Sequence, residues 1–184
     1  MKIKKLKIDS PVYSVIKNKI NSNNFPWYEG DTPTDYSPEI NFFYHEVVTR
    51  DGRVNSSLYD DCKKLLDDLT KQLVIPVNKI IRCCVNFTYN QPVKSCDFHI
   101  DHDFPHKTCI VYLNTLDHAP TYICDEKYEK NKQVALPASA IKFLKYQTIL
   151  PEEKTFIYFD GLQYHANEYP DCGKQRKVIV YTFT

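Results

Sequence analysis

The apolar period of this chain changes at Lys79, and that change constrains its fold more than any other feature. Upstream, apolar residues recur at helical spacing; downstream they alternate. Ile81, Cys83, Val85, Phe87 and Tyr89 share one face of a strand, and Arg82 and Asn86 share the other. Short strand candidates follow at 97–101, 108–114, 122–124, 143–150, 155–159, 163–166 and 177–183. Turn signals such as Asn90-Gln91-Pro92, Asp160-Gly161 and Pro170–Gly173 separate them. No strand–helix–strand rhythm occurs in this half, which argues against a parallel α/β sheet. The 4 Gly against 11 Pro, with no GxGxxG and no GxxxxGK[ST], argue against a Gly-rich nucleotide-binding fold.

The upstream third reads differently. Residues 2–8 alternate Lys with Ile or Leu, as an edge strand blunted by its lysines would. Ser10-Pro11 is a cap followed by proline in the first turn, and it predicts a helix over 12–20. Asn21–Ser37, which holds Phe25-Pro26-Trp27-Tyr28, reads as a loop, 41–48 as a strand, and Asp51-Gly52 as a turn. The clearest helix spans Ser57–Leu73, with Ser57 as cap, Asp60 and Asp61 in its first turn, and one stripe of Leu58, Cys62, Leu65, Leu69 and Leu73. Helices first and many short strands afterwards predict a mainly β protein with supporting helices, an α+β double-sheet roll. The 184 residues suit a single domain over 1–184, with helical support at 10–75 and a β core at 79–184.

The formal charge is +1, so the chain as a whole lacks the basic footprint of a nucleic-acid binder. The 7 cysteines are odd in number and without CxxC spacing, as expected of reduced, structural thiols in a reducing compartment. No apolar run is long enough to span a membrane, and lysines interrupt the N-terminal apolar pattern. A cytoplasmic location is the expectation.

One stretch offers chemistry: Phe98-His99-Ile100-Asp101-His102-Asp103-Phe104-Pro105-His106. On a strand His99 and Asp101 point to one face and Ile100 to the other. His165, on a later strand, is a candidate third ligand, and two His with one carboxylate suit a facial triad for non-haem Fe(II). Taken alone, His-x-acid carries little weight, since roughly 0.75 matches are expected by chance in this composition. Among the six histidines only His99 has an acid two residues on. Arg176 heads the last strand in a chain with four arginines and twenty lysines, and a guanidinium there suggests a bidentate clamp for a carboxylate. A buried Tyr112 would need a partner for its hydroxyl, which a carboxylate beside Arg176 would provide.

His99-x-Asp101, Pro105-His106, Tyr-Leu-Asn at 112–114, Phe-Asp-Gly at 159–161, Tyr-His-Ala at 164–166 and Arg176 occur in one order. In that order the chain resembles the 2-oxoglutarate- and Fe(II)-dependent dioxygenases. The likeness is to their prolyl-hydroxylase-like branch and its small phage- and virus-encoded relatives, clear over 80–184 and looser upstream. The resemblance implies a double-stranded β-helix of the jelly-roll, cupin-like type and Fe(II) held by His99, Asp101 and His165. It implies 2-oxoglutarate with its far carboxylate on Arg176 and Tyr112, Tyr89 within reach of that cosubstrate, O2 as second cosubstrate, and ascorbate as an accessory reductant. The chain departs from the pattern at Ala119-Pro120-Thr121, where a Gly-Gly is common, and in the long, lysine-rich segment 125–142.

The implied reaction is oxidative decarboxylation of 2-oxoglutarate to succinate and CO2, coupled to hydroxylation of a substrate. A protein or peptide side chain such as prolyl is the first expectation. A free amino acid, another small metabolite or a nucleobase is the alternative, with nucleic acid disfavoured by charge. Trp27, Tyr28, His45 and Arg82 are candidate substrate contacts. If the protein is encoded by a phage or virus, its compartment is the host cytoplasm. A rival of another class is a non-catalytic jelly-roll module, such as a virion protein.

Overall fold

Two stripes of buried apolar residues explain the helices of the computed structural model, which describes residues 3–30 and 40–184. After the edge strand β1 (Lys4–Lys7), helix α1 (Val12–Ile20) buries Tyr13, Ile16 and Ile20. Proline at its start has a φ already suited to helix entry. Ser10 does not cap α1: its hydroxyl donates to Asp68 Oδ2 at 2.8 Å and ties the two helices together. The short strand β2 (Tyr28–Gly30) and β3 (Phe42–Val48) come next, then α2 (Tyr59–Leu73), which buries Cys62, Leu65, Leu69 and Leu73. Ser57 does not cap α2: the N-cap position is Leu58, which has no side-chain cap bond, and the Leu58 backbone N–H donates to Ser56 Oγ at 3.1 Å in the turn before it.

The remaining chain is extended: β4 (Ile80–Tyr89), β5 (Phe98–His99), β6 (Lys107–Tyr112), β7 (Thr121–Lys127), β8 (Ala135–Leu136), a short 3₁₀ turn at Ala138–Lys142, β9 (Tyr146–Ile149), β10 (Thr155–Asp160), β11 (Gln163–Asn167) and β12 (Gln175–Phe183). All pairings are antiparallel. A seven-stranded sheet runs β1-β10-β6-β12-β4-β3-β2 and a five-stranded one β8-β5-β11-β7-β9. From β4 onward the chain passes back and forth between the sheets, and the result is a jelly-roll double-stranded β-helix.

Parity along each strand decides which layer a side chain joins. Cys83, Val85, Cys109, Val111, Ile179 and Tyr181 leave the large sheet toward α1 and α2. Ile110, Tyr112, Ile123, Phe159 and Val178 fill the space between the sheets, and Phe98, Tyr122, Cys124 and Tyr164 pack behind the small sheet. Each fully buried aliphatic or aromatic side chain contributes about 1.5–3 kcal/mol of transfer free energy.

Three local expectations are corrected. The segment expected to be a loop contains β2, whose Tyr28 pairs with Tyr44, while 31–37 lie outside the described residues. The strand expected at 97–101 has ladder pairing only at Phe98–His99; beyond it the Ile100 N–H donates to Val134 O. Residues 143–145 precede β9 rather than belong to it. Among the described residues no helix is long and apolar enough to cross a membrane.

Candidate metal centre

His99 on β5 and His165 on β11 are direct cross-strand partners, and Asp101 follows one pleat beyond His99. The ligand atoms of these three lie within 4.8 Å of one another. Both imidazoles are oriented by the same device. His99 Nδ1 lies 2.9 Å from Asp97 O and His165 Nδ1 3.1 Å from Gln163 O. A carbonyl can only accept, so each Nδ1 carries a proton and each Nε2 is the ring atom turned toward the site. Ile100 points into the layer behind the small sheet, as alternation requires.

Asp101 completes the set. Its side chain is 6% exposed, Oδ2 stands 3.5 Å from His165 Nε2, and that oxygen is buried without a hydrogen-bond partner. Burial would raise its pKa, but His165, His99 and Arg82 outweigh burial and hold the carboxyl well below the usual carboxylate range. Asp101 is therefore an anion, and although burial works against it, that charge raises the His165 pKa in return, so a metal ion held by the three would displace the proton the pair favours.

The triad opens into a cavity of about 130 Å³ between the sheets. Its large-sheet wall consists of three rows in register: Arg82, Asn86 and Thr88 on β4; Arg176, Val178 and Val180 on β12; and Ile110 on β6. The middle is apolar and both ends are polar.

At the Thr88 end lies Arg176, 3% exposed and the cross-strand partner of Thr88. Its Nη2 donates to Thr121 Oγ1 at 2.7 Å, and its guanidinium lies 5.8 Å from the Tyr112 ring centroid. The Tyr112 hydroxyl meets the same Thr121 Oγ1 at 2.8 Å. Arg176 Nε and Thr88 Oγ1 are both buried without partners, and among the described residues no carboxylate pairs with Arg176. Burial lowers the Arg176 pKa, yet a guanidinium remains charged. An unmatched buried cation with an idle donor is costly unless a ligand brings the anion.

At the triad end, Arg82 Nη1 lies 3.9 Å from Asp101 Oδ1, and Arg50, at the rim, donates from Nη1 to the Asp101 carbonyl at 2.8 Å. His106 stands behind the triad. Its Nδ1 meets Phe104 O at 2.8 Å, its Nε2 is buried without a partner, and a Cβ on Gly161 would overlap that nitrogen.

Of the residues singled out from sequence, His99, Asp101, His165, Arg176, Tyr112 and Arg82 converge here, whereas Tyr89, His45, Trp27 and Tyr28 do not. Tyr89 shares the parity of Phe87, packs against Phe43 and Phe87, and does not line the cavity. His45 is held in the helix-side layer, with Nδ1 2.9 Å from Pro26 O and Nε2 2.7 Å from Ser56 Oγ. Trp27 meets Phe25 and Phe87 edge-on, and Tyr28 is exposed on β2. Thr88, Thr121 and Arg50 went unnoticed in the sequence. Thr88 could have been found, because it has the parity of Arg82 and Asn86.

No family profile and no curated protein matches the sequence. Solved structures do. The chain is similar to an oxidoreductase of the 2OG-Fe(II) oxygenase family from Burkholderia pseudomallei (TM-score 0.66, 12% identity, covering 98% of this chain and 84% of that one). It is also similar to the epimerase SnoN in complex with Fe3+, alpha ketoglutarate and nogalamycin RO (TM-score 0.66, 8% identity, 99% and 78%). A third likeness is to a Pseudomonas putida prolyl-4-hydroxylase (TM-score 0.54, 11% identity, 98% and 91%). At these identities what is shared is the fold.

Proposed function

We propose that this protein is a 2-oxoglutarate-dependent iron oxygenase that hydroxylates an organic substrate. One observation carries the reading. A single cavity presents a carboxylate oxygen and two imidazole Nε2 atoms at one point, and at another a buried guanidinium that no described carboxylate matches. That donor set fits a divalent iron with open positions. The distant cation fits the far end of a dicarboxylate that chelates the metal through its keto acid end.

His99, Asp101 and His165 would hold the iron, and Arg176, with Thr121, Tyr112 and Thr88 around it, the far carboxylate. Bound iron supplies the redox chemistry that couples 2-oxoglutarate and O2 to substrate oxidation. The chain's own residues do the rest. The carbonyls of Asp97 and Gln163 fix the imidazole tautomers, Asp101 contributes the negative charge, and Val178, Val180 and Ile110 keep the middle of the cavity dry. Substrate enters past Arg50 and Arg82. A prolyl or other peptide side chain is supported by the similarity to a prolyl-4-hydroxylase, and a small molecule by the similarity to SnoN. A purely structural jelly roll has no use for an unpaired buried arginine facing an unpaired buried carboxylate oxygen.

The test is aerobic conversion of 2-oxoglutarate to succinate with Fe(II), in the parent and in His99→Ala. Succinate formed only with iron and only by the parent is expected; succinate formation indifferent to iron would sink the reading.

A further inference from the structure

We infer that the substrate acted on beside the triad carries a carboxylate, received by Arg50 and Arg82. The inference rests on the oxygenase reading above and narrows its substrate class.

The first ground is the distribution of cations. Three of the four arginines, Arg50, Arg82 and Arg176, line the cavity, and no lysine among the described residues does. A chain that uses lysine as its default cation has placed planar forks around one cavity, and forks suit carboxylates. Arg176 stands at the far end beside Thr88, so Arg50 and Arg82 remain for something else.

The second ground is that, among the described residues, no carboxylate is hydrogen-bonded to either guanidinium, Arg82 having only two long ion-pair contacts. The Arg82 side chain is 14% exposed and its Nε is buried with no hydrogen bond. The nearest carboxylate oxygens are Glu46 Oε1, 3.8 Å from Nε, and Asp101 Oδ1, 3.9 Å from Nη1, both beyond hydrogen-bond reach. Arg50 donates to a backbone carbonyl, which is neutral, and forms no ion pair among the described residues.

The third ground is charge balance. With iron and 2-oxoglutarate in place, the metal is neutralised by Asp101 and the keto acid end, and Arg176 by the far carboxylate. Among the described residues Arg50 and Arg82 then face Glu46 alone, one negative charge short at the mouth. A carboxylate supplies it in the geometry a guanidinium prefers. Because Arg82 lies so near Asp101, an acid docked on it presents carbons only a few bonds from its carboxylate to the metal. The shared chemistry is thus a carboxylate close to the reacting C–H, from either a free amino or organic acid or an acidic residue of a peptide.

The experiment uses the iron-loaded protein with 2-oxoglutarate under anaerobic conditions, with binding read by thermal shift and calorimetry. Probes come in matched pairs: the α-amino acids against their amides, acetate and propionate against acetamide and propionamide, and Asp- or Glu-containing peptides against their Asn or Gln counterparts. Binding by acids and not by amides is expected, at least tenfold weaker in Arg82→Gln and weaker again when Arg50→Gln is added. Arg82→Lys should recover part of it, and circular dichroism checks the fold of each variant. Binding confined to free acids, or to acidic peptides, identifies the source. Amides that bind as well as acids, acid binding indifferent to both substitutions, or a folded cavity that takes neither would overturn the inference. A prior titration of the parent with 2-oxoglutarate separates the two readings. If that cosubstrate fails to bind, the oxygenase reading fails; if it binds and the acids do not, only this inference does.

Discussion

His165 faces His99 directly across the β11–β5 ladder, and the two ring centroids are 4.7 Å apart. Backbone pairing therefore sets the separation of the two histidines proposed as metal ligands, with no loop involved. A site built on paired strands is held more closely than one built on loops.

Asp101 is the only anion among the three ligands, so Asp101→Ala should abolish tight Fe(II) binding while leaving the fold intact. Iron titration read beside the melting curve checks both halves. Parent-like affinity in a folded variant would mean that the metal sits elsewhere.

Arg176→Ala should weaken 2-oxoglutarate binding by about 2–5 kcal/mol, the usual cost when one partner of a buried charge pair is removed. That is at least a tenfold rise in apparent Kd. Arg176→Lys should fall between, since it keeps the charge and loses the fork. Anaerobic titration of the iron-loaded proteins measures this, and equal affinities in all three would leave Arg176 without the role.

Gly161→Ala should destabilise the fold by about 1–3 kcal/mol, in the range of overpacking, because the new Cβ overlaps His106 Nε2. Adding His106→Ala should recover much of the loss by vacating that space. Denaturant unfolding of both variants tests the contact. A double variant no more stable than Gly161→Ala would place the cause in the backbone turn.

Six of the seven cysteines are buried and Cys172 is exposed. Burial pushes the Cys84 thiol up to about 11, and Cys83, Cys109 and Cys124 are likewise raised. A thiol reagent at neutral pH should thus label one cysteine in the native protein and all of them after denaturation. Rapid native labelling of more than one would contradict the packing described here.

Legibility followed burial geometry. α2 could be read because it buries one stripe, and β4 because its helix-side face is apolar while its cavity side carries Arg82, Asn86 and Thr88. The proposed metal ligands could be read because His99 and His165 lie on strands and Asp101 follows two residues after His99, and Arg176 because arginine is scarce. Tyr89 enters only through the resemblance, and its parity with Phe87 and Val85 assigns it to the face away from the cavity. His45 has the same parity as Phe43 and Val47 and fills a core position with both ring nitrogens satisfied. Arg50 left no trace, because it reaches the site from a turn whose direction only tertiary contacts determine. β8 is two residues long and is a strand only because β5 lies beside it, so no local pattern marks it.

The position of β12 bears on how the chain reaches this state. It lies between β6 and β4, both made long before it, and bonds to them along nearly its whole length. Until residues 175–183 thread into that gap, the central strands of the large sheet lack a neighbour and Arg176 has no wall to stand on. Such late, non-local pairing belongs to the slow class of folding reactions, milliseconds to seconds. Assembly of the carboxylate end of the cavity should therefore coincide with the last cooperative step of folding, and kinetic intermediates that lack β12 should be unable to retain 2-oxoglutarate.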